Sequence, residues 1–317
     1  MRDDRLAASR RFAHTADMTD PSSGSAATAG TSSQPAKPGA DVSPDTPVRR
    51  LIVLVVSIAL AAIAFRAVQP FMGSARGVVG PQVADAERPL LAGLAIVAAF
   101  GITSAIAALV GRLVNAVVGV FVLGCGVGYL AMRAGSSADF AFGTSSPLAG
   151  GIELLAWAAL AAAGSHLIFK VGGPLPDFPV TTEDEIDSPL GRSARMSWVA
   201  ALAGLAVAWL AAATATKGQA LGAATLAGFA TGAFGRMVAP RTPPVYLAVA
   251  PIAAFAVVFL FLGITGAGDD LATKFVDGGY PRFLRMMPVD IVAGALCGTA
   301  LGFGFMRSFA APATDSR

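Results

Sequence analysis

Charge is scarce in this sequence. Asp, Glu, Lys and Arg make up 14% of its 317 residues, where soluble domains carry about 25%. That deficit excludes an ordinary solvated surface. Cysteine and histidine are scarcer still, at two residues each. Cys125 and Cys297 lie in apolar runs without a Cys or His at metal-ligand spacing, which excludes a disulfide scaffold and a zinc motif. Both read as small packing residues.

Catalytic signatures are missing as well. There is no His-Glu-x-x-His, no Gly-x-Ser-x-Gly, no P-loop and no carboxylate cluster at metal-ligand spacing. Gly124-Cys-Gly-Val-Gly128 has the letters of a nucleotide loop, but it lies inside an apolar run with no strand before it. The expectation is a protein that is not an enzyme and holds no cofactor or metal. A net charge of +3, scattered over segment ends, also excludes nucleic acid as a partner.

What is abundant is apolar. Hydrophobic residues are 55% of the chain, mean hydropathy is +0.65, and there are 36 glycines. A spanning helix needs about 20 mostly apolar residues. Eight segments qualify: 51–68, 89–110, 113–132, 151–171, 196–216, 219–238, 245–264 and 288–309. The first is slightly short and the sixth is rich in glycine. The runs are continuous rather than alternating, so they predict helices and not barrel strands. The expected fold is an all-α polytopic membrane bundle of about eight transmembrane helices, with the lipid bilayer as its first partner.

Around the bundle, residues 1–48 read as a disordered tail. The stretch from Ser22 to Pro47 is rich in Ser, Gly, Ala, Thr and Pro, with no aromatic residue and no periodicity that could bury a core. Met18 opens an ordinary N-terminal sequence, so residues 1–17 are expected to lie upstream of the true start. Residues 49–171 and 196–309 read as two transmembrane halves, and 310–317 as a C-terminal tail. Between the halves, 172–195 carries Pro174, Pro176 and Pro179, then Glu183, Asp184, Glu185 and Asp187. It reads as a stiff connector, and either it or the N-terminal tail is the expected place for a protein partner. With the N-terminus inside, fifteen of the 23 Lys and Arg fall on the inner side and eight on the outer. Both termini are therefore expected in the cytoplasm, with the chain in a bacterial inner membrane. The stretch before the last segment, Pro281 to Met287, mixes cations with large apolar side chains and reads as an interfacial helix.

The halves echo one another. The second segment ends Gly111-Arg112-Leu113-Val114 and the sixth Gly235-Arg236-Met237-Val238. The fourth runs from Glu153 to Lys170 and the eighth from Asp290 to Arg307. Two four-helix repeats of like orientation would be related by an axis along the membrane normal.

Glu153 and Asp290 are the leading site candidates, because an acid inside a membrane segment calls for a function. Facing one another across the axis, they would bind a cation or share a proton. In the first turn of a helix, each would instead serve the helix dipole. His166, one turn before Lys170, is the candidate polar relay or an interfacial histidine. Gly124, Gly128, Gly228, Gly232, Gly294, Gly298 and Gly302 recur every four residues and predict faces where helix backbones touch. Asn115, Thr103, Ser104, Thr225, Thr231 and Thr299 are expected to hydrogen-bond between helices. Two functions fit: a permease-like carrier of small apolar or amphiphilic cargo, or a structural or assembly subunit of a larger complex.

Overall fold

In the computed structural model, residues 47–74, 79–173, 175, 191–240, 242–266, 268–307 and 309 are described, with the side chains of 192–194 left aside. The expectations for the N-terminal tail up to residue 46, most of the 172–195 connector and the tail beyond 309 lie outside the described residues. The chain is all-α. Its long helices are α1 (Pro47–Arg66), α2 (Pro89–Leu113), α3 (Ala116–Ala131), α5 (Pro147–Gly172), α6 (Arg192–Ala211), α7 (Lys217–Val238), α8 (Pro244–Ile264) and α10 (Pro288–Arg307). Two short ones, α4 (Ser137–Phe142) and α9 (Leu271–Val276), precede α5 and α10.

Among the described residues, five helices are long and apolar enough to cross a membrane: α1 with the turn that continues it to Phe71, α2, α5, α8 and α10. All five open on a proline. Proline fits there because the first helical N–H has no intrahelical partner and its φ is already set. The outward surface explains the hydropathy. Leu51, Ile52, Leu94, Leu202, Leu210, Phe261 and Leu301 all lie exposed around the bundle, the condition of a surface that meets lipid.

The third expected segment is shorter than its apolar run. Asn115 interrupts it: the side-chain Oδ1 accepts from the backbone N–H of Val117 at 2.6 Å and Val118 at 3.3 Å. That cap starts α3 at Ala116 and leaves 16 residues, about 24 Å of helix at 1.5 Å per residue. We expect Asn115→Ala to cost about 1 kcal/mol, read as a lower thermal midpoint in detergent, and Asn115→Asp to restore most of it.

α10 sits at the centre, with nearly every side chain from Pro288 to Ala300 buried. It packs on α7, α3, α8 and α5. The other main neighbours are α1 with α2 and α3, α2 with α3 and α5, α3 with α5, α6 with α7 and α8, α7 with α8, and α5 with α8. The short helices α4 and α9 touch each other, with Phe142 and Phe275 edge to face at 5.7 Å.

At one end of the bundle the connections interlock into a cap. The Gly135 N–H donates to the Gly80 carbonyl, the Ser137 hydroxyl to the Ala215 carbonyl, and the Tyr280 hydroxyl to the Leu284 carbonyl. Burial raises the Tyr280 phenol well above its ordinary range, against the pull of Arg285. The stretch 281–287 departs from expectation. It forms a tight turn over Arg282–Arg285 whose Leu284, Met286 and Met287 are fully buried. Arg282 donates to the Trp209 carbonyl at 3.1 Å and stacks over its ring, while Arg285 donates to the Ala212 and Ala213 carbonyls. The cations are spent on the open C-terminal carbonyls of α6, where the helix dipole favours them.

Candidate functional site

The cap end gathers the acidic candidates, but on separate partners. Ser146 caps α5 and Pro147 opens it, so the helix begins four residues before Gly151. Glu153 consequently falls in the second turn rather than the first, and the dipole reading loses its basis there. Its carboxylate accepts from the Val83 N–H at 2.8 Å and from the Trp157 indole N–H at 3.2 Å. Trp157, one turn further along α5, stacks edge-on against Phe100 of α2 at 5.9 Å. Glu153 thus ties the segment before α2 to α5.

Asp290 does lie in the first turn of its helix. One oxygen accepts from the Met287 N–H at 3.1 Å, and the other lies 2.7 Å from the Lys217 ammonium. Lys217 opens α7 and also donates to the Gly135 carbonyl at 3.0 Å. A carboxylate with no exposed surface is therefore matched by a cation that also reaches a carbonyl. This satisfies the requirement that a buried charge be paired. No hydrogen bond or ion pair joins Glu153 to Asp290 among the described residues.

The remaining candidates divide by face. His166 points outward, exposed beside Leu167 and Lys170, away from both acids. Gly228 and Gly232 of α7 meet Gly294, Gly298 and Gly302 of α10. A Cβ on Gly228 would stand 2.6 Å from the Ala295 carbonyl oxygen, and one on Gly302 2.6 Å from that of Phe229. Gly124 of α3 abuts Cys297 of α10, whereas Gly128 has ordinary room. Among the hydroxyls, Thr299 reaches between helices, to the Gly228 carbonyl at 3.3 Å. Thr225 and Thr231 bond their own helix one turn back, to Leu221 and Ala227. Thr103, Ser104 and Ser165 are buried with no hydrogen-bond partner among the described residues.

Three recesses adjoin these residues. A groove of about 400 Å³ between α2 and α5 is walled by Gly93, Ile96, Val97, Ile152 and Leu160, with Glu153 and Trp157 also in its lining. A crevice of about 690 Å³ lies among α1, α3, α7 and α10, with Cys125 and Cys297 in its wall. In the cap, about 550 Å³ is bordered by Asp85 and Asp139. Both of those carboxylates are occupied in local caps, with Gln82 and Ser145 on Asp85 and Ser136 on Asp139.

Sequence reasoning missed the Lys217 partnership, because Lys217 carried meaning there only as one more charge between segments. It also missed the meeting of the two cysteines, 172 residues apart, for which the sequence holds no local signal. Among the described residues no three of His, Cys, Asp and Glu cluster as a metal-ligand set. No family model matches the chain, and neither a curated protein nor a solved structure does.

Proposed function

We propose that this membrane protein is a permease-like carrier built from two related four-helix halves, and that its cargo is small and apolar or amphiphilic. One observation carries the reading. If α1, α2, α3 and α5 are matched in order to α6, α7, α8 and α10, the packing maps onto itself. The first helix of each set touches the second and third, the second touches the third and fourth, and the third touches the fourth. Across the sets, α3 packs on α10 and α5 on α8, which exchange under the same match. The short α4 and α9 are also exchanged, and they touch. A random bundle has no reason to repeat every neighbour. Two like-oriented repeats joined at a common axis are a familiar carrier architecture.

On this reading α3, α6 and α7 cross the bilayer with the five longer helices, giving eight spans. Both termini then face the cytoplasm of a bacterial inner membrane, because Arg49-Arg50 stand in the first turn of α1 and basic residues favour the inner side. The cargo class follows from the recesses. The α2–α5 groove is apolar, with Glu153 the one ionisable residue of its wall, which suits a mainly hydrocarbon cargo.

The test begins with native mass measurement of the full-length protein in mild detergent and identification of what it retains. A bound amphiphile that is lost in Glu153→Gln, with the protein still monodisperse, is the expected result. A second protein held in fixed stoichiometry, together with unchanged behaviour of Glu153→Gln, would replace the carrier with the assembly-subunit reading. A docking segment for such a partner would then be sought in residues 172–195.

A further inference from the structure

Cys125 and Cys297 are the two cysteines of the chain, and the fold brings them together. Their sulfurs stand 4.0 Å apart, one on α3 and one on α10. The approach depends on Gly124, where a Cβ would lie 2.7 Å from the Cys297 sulfur. Both thiols are free, half-buried, and open onto the crevice among α1, α3, α7 and α10. The Cys297 thiol otherwise has only a long contact, 3.9 Å, to the Phe121 carbonyl.

We propose that Cys125 and Cys297 form a two-thiolate site for one monovalent copper ion. The spacing is within reach of a bridged ion. With metal–sulfur bonds of about 2.3 Å, two thiolates on a linear two-coordinate ion stand about 4.6 Å apart, so the pair at 4.0 Å opens by a fraction of an ångström to take it. The number of ligands then selects the metal. Zinc in structural sites is almost always four-coordinate, and iron–sulfur clusters take four cysteines. Here no third His, Cys, Asp or Glu joins the pair among the described residues. A soft ion content with two sulfurs remains, and thiolates favour monovalent copper.

Charge and access agree with this. Binding releases one proton from each thiol and leaves the bis-thiolate–copper unit with a single negative charge. Arg133 and Tyr129 line the same crevice. Arg66 donates to the Tyr129 hydroxyl at 3.4 Å, and the Arg133 guanidinium stands 5.9 Å from the Tyr129 ring centre. The Arg133 cation in the crevice wall has the sign that offsets the bound unit. Met132 lies seven residues from Cys125, two turns along the same face of α3 or about 10 Å. It is exposed at the rim of the crevice, where its thioether offers the entering ion a soft first contact.

The experiment titrates reduced, tag-free, full-length protein in detergent, without oxygen, into the coloured complex of copper(I) with bicinchoninate. The protein is expected to withdraw one equivalent per chain. Capping the thiols with methyl methanethiosulfonate should abolish the withdrawal, and removing the cap with reductant should restore it. Cys125→Ser and Cys297→Ser should each bring the stoichiometry from one to none. An intact chelator complex in the presence of reduced wild-type protein overturns the assignment. So does uptake that survives thiol capping, or equal uptake of zinc in a parallel titration. The capping arm uses the wild-type chain, so misfolding of a serine variant cannot decide the outcome.

Discussion

Asp290→Ala destabilises the protein by about 3–5 kcal/mol, the usual cost of removing one member of a buried ion pair. The magnitude follows from what is left behind. Lys217 stands 2.7 Å from the Asp290 carboxylate and is 19% exposed, while Asp290 itself is 1% exposed. Without the acid, the ammonium keeps, among the described residues, only the Gly135 carbonyl, and the Met287 N–H loses its acceptor at the start of α10. The converse is as informative. The double variant Lys217→Met/Asp290→Leu removes both charges and returns most of the stability, because an apolar pair of similar volume has no desolvation penalty to recover. Thermal unfolding of wild type, Lys217→Met, Asp290→Leu and the double variant in one detergent gives the coupling directly. Additive losses in the double variant would mean that the pair is held apart in solution.

The second large effect lies at the crossing of α7 and α10. A Cβ on Gly298 would collide with the Thr225 carbonyl oxygen and stand 2.6 Å from the Phe229 nitrogen. Both are backbone atoms of a helix, and neither can turn aside as a side chain can. Gly298→Ala therefore has to push α7 away from α10 along the line of Gly228, Gly232, Gly294 and Gly302. The expected loss is at or above the upper end of the usual overpacking cost of about 1–3 kcal/mol, with Gly298→Leu failing to yield monodisperse protein. Gly304 is the control on the same helix. Nothing lies within 4 Å of its Cβ position, so Gly304→Ala should be neutral or stabilise by up to about 1 kcal/mol through helix propensity alone. Equal behaviour of the two variants in thermal unfolding would show that α7 and α10 do not pack through these glycines.

These two cases mark how far the sequence could be read. Gly294, Gly298 and Gly302 recur every four residues, so they line one face of any helix that contains them, whatever that face meets. The interface of α5 with α8 had no such signature. Gly150 and Gly151 are adjacent in sequence, yet a Cβ on the first would meet Phe259 at 2.9 Å and one on the second Leu260 at 2.7 Å. Helix ends were legible where a cap or proline stands at the boundary, as at Pro89 and Pro288. At Ser146-Pro147 the same signal stands, yet the expected segment begins four residues late, at Gly151. Those four residues change the meaning of Glu153, moving it from the first turn into contact with Val83 and Trp157.

By itself the sequence determined the all-α class, the long apolar helices and the outward apolar surface. Each depends only on local composition and on the need to pair every backbone group away from water. The tertiary structure alone decided the partners. It placed Lys217 on Asp290, separated Asp290 from Glu153, turned His166 outward and brought Cys125 to Cys297. Such pairings join residues tens to hundreds of positions apart. They are set by which helix packs on which, and apolar helices of similar composition carry no local code for that choice.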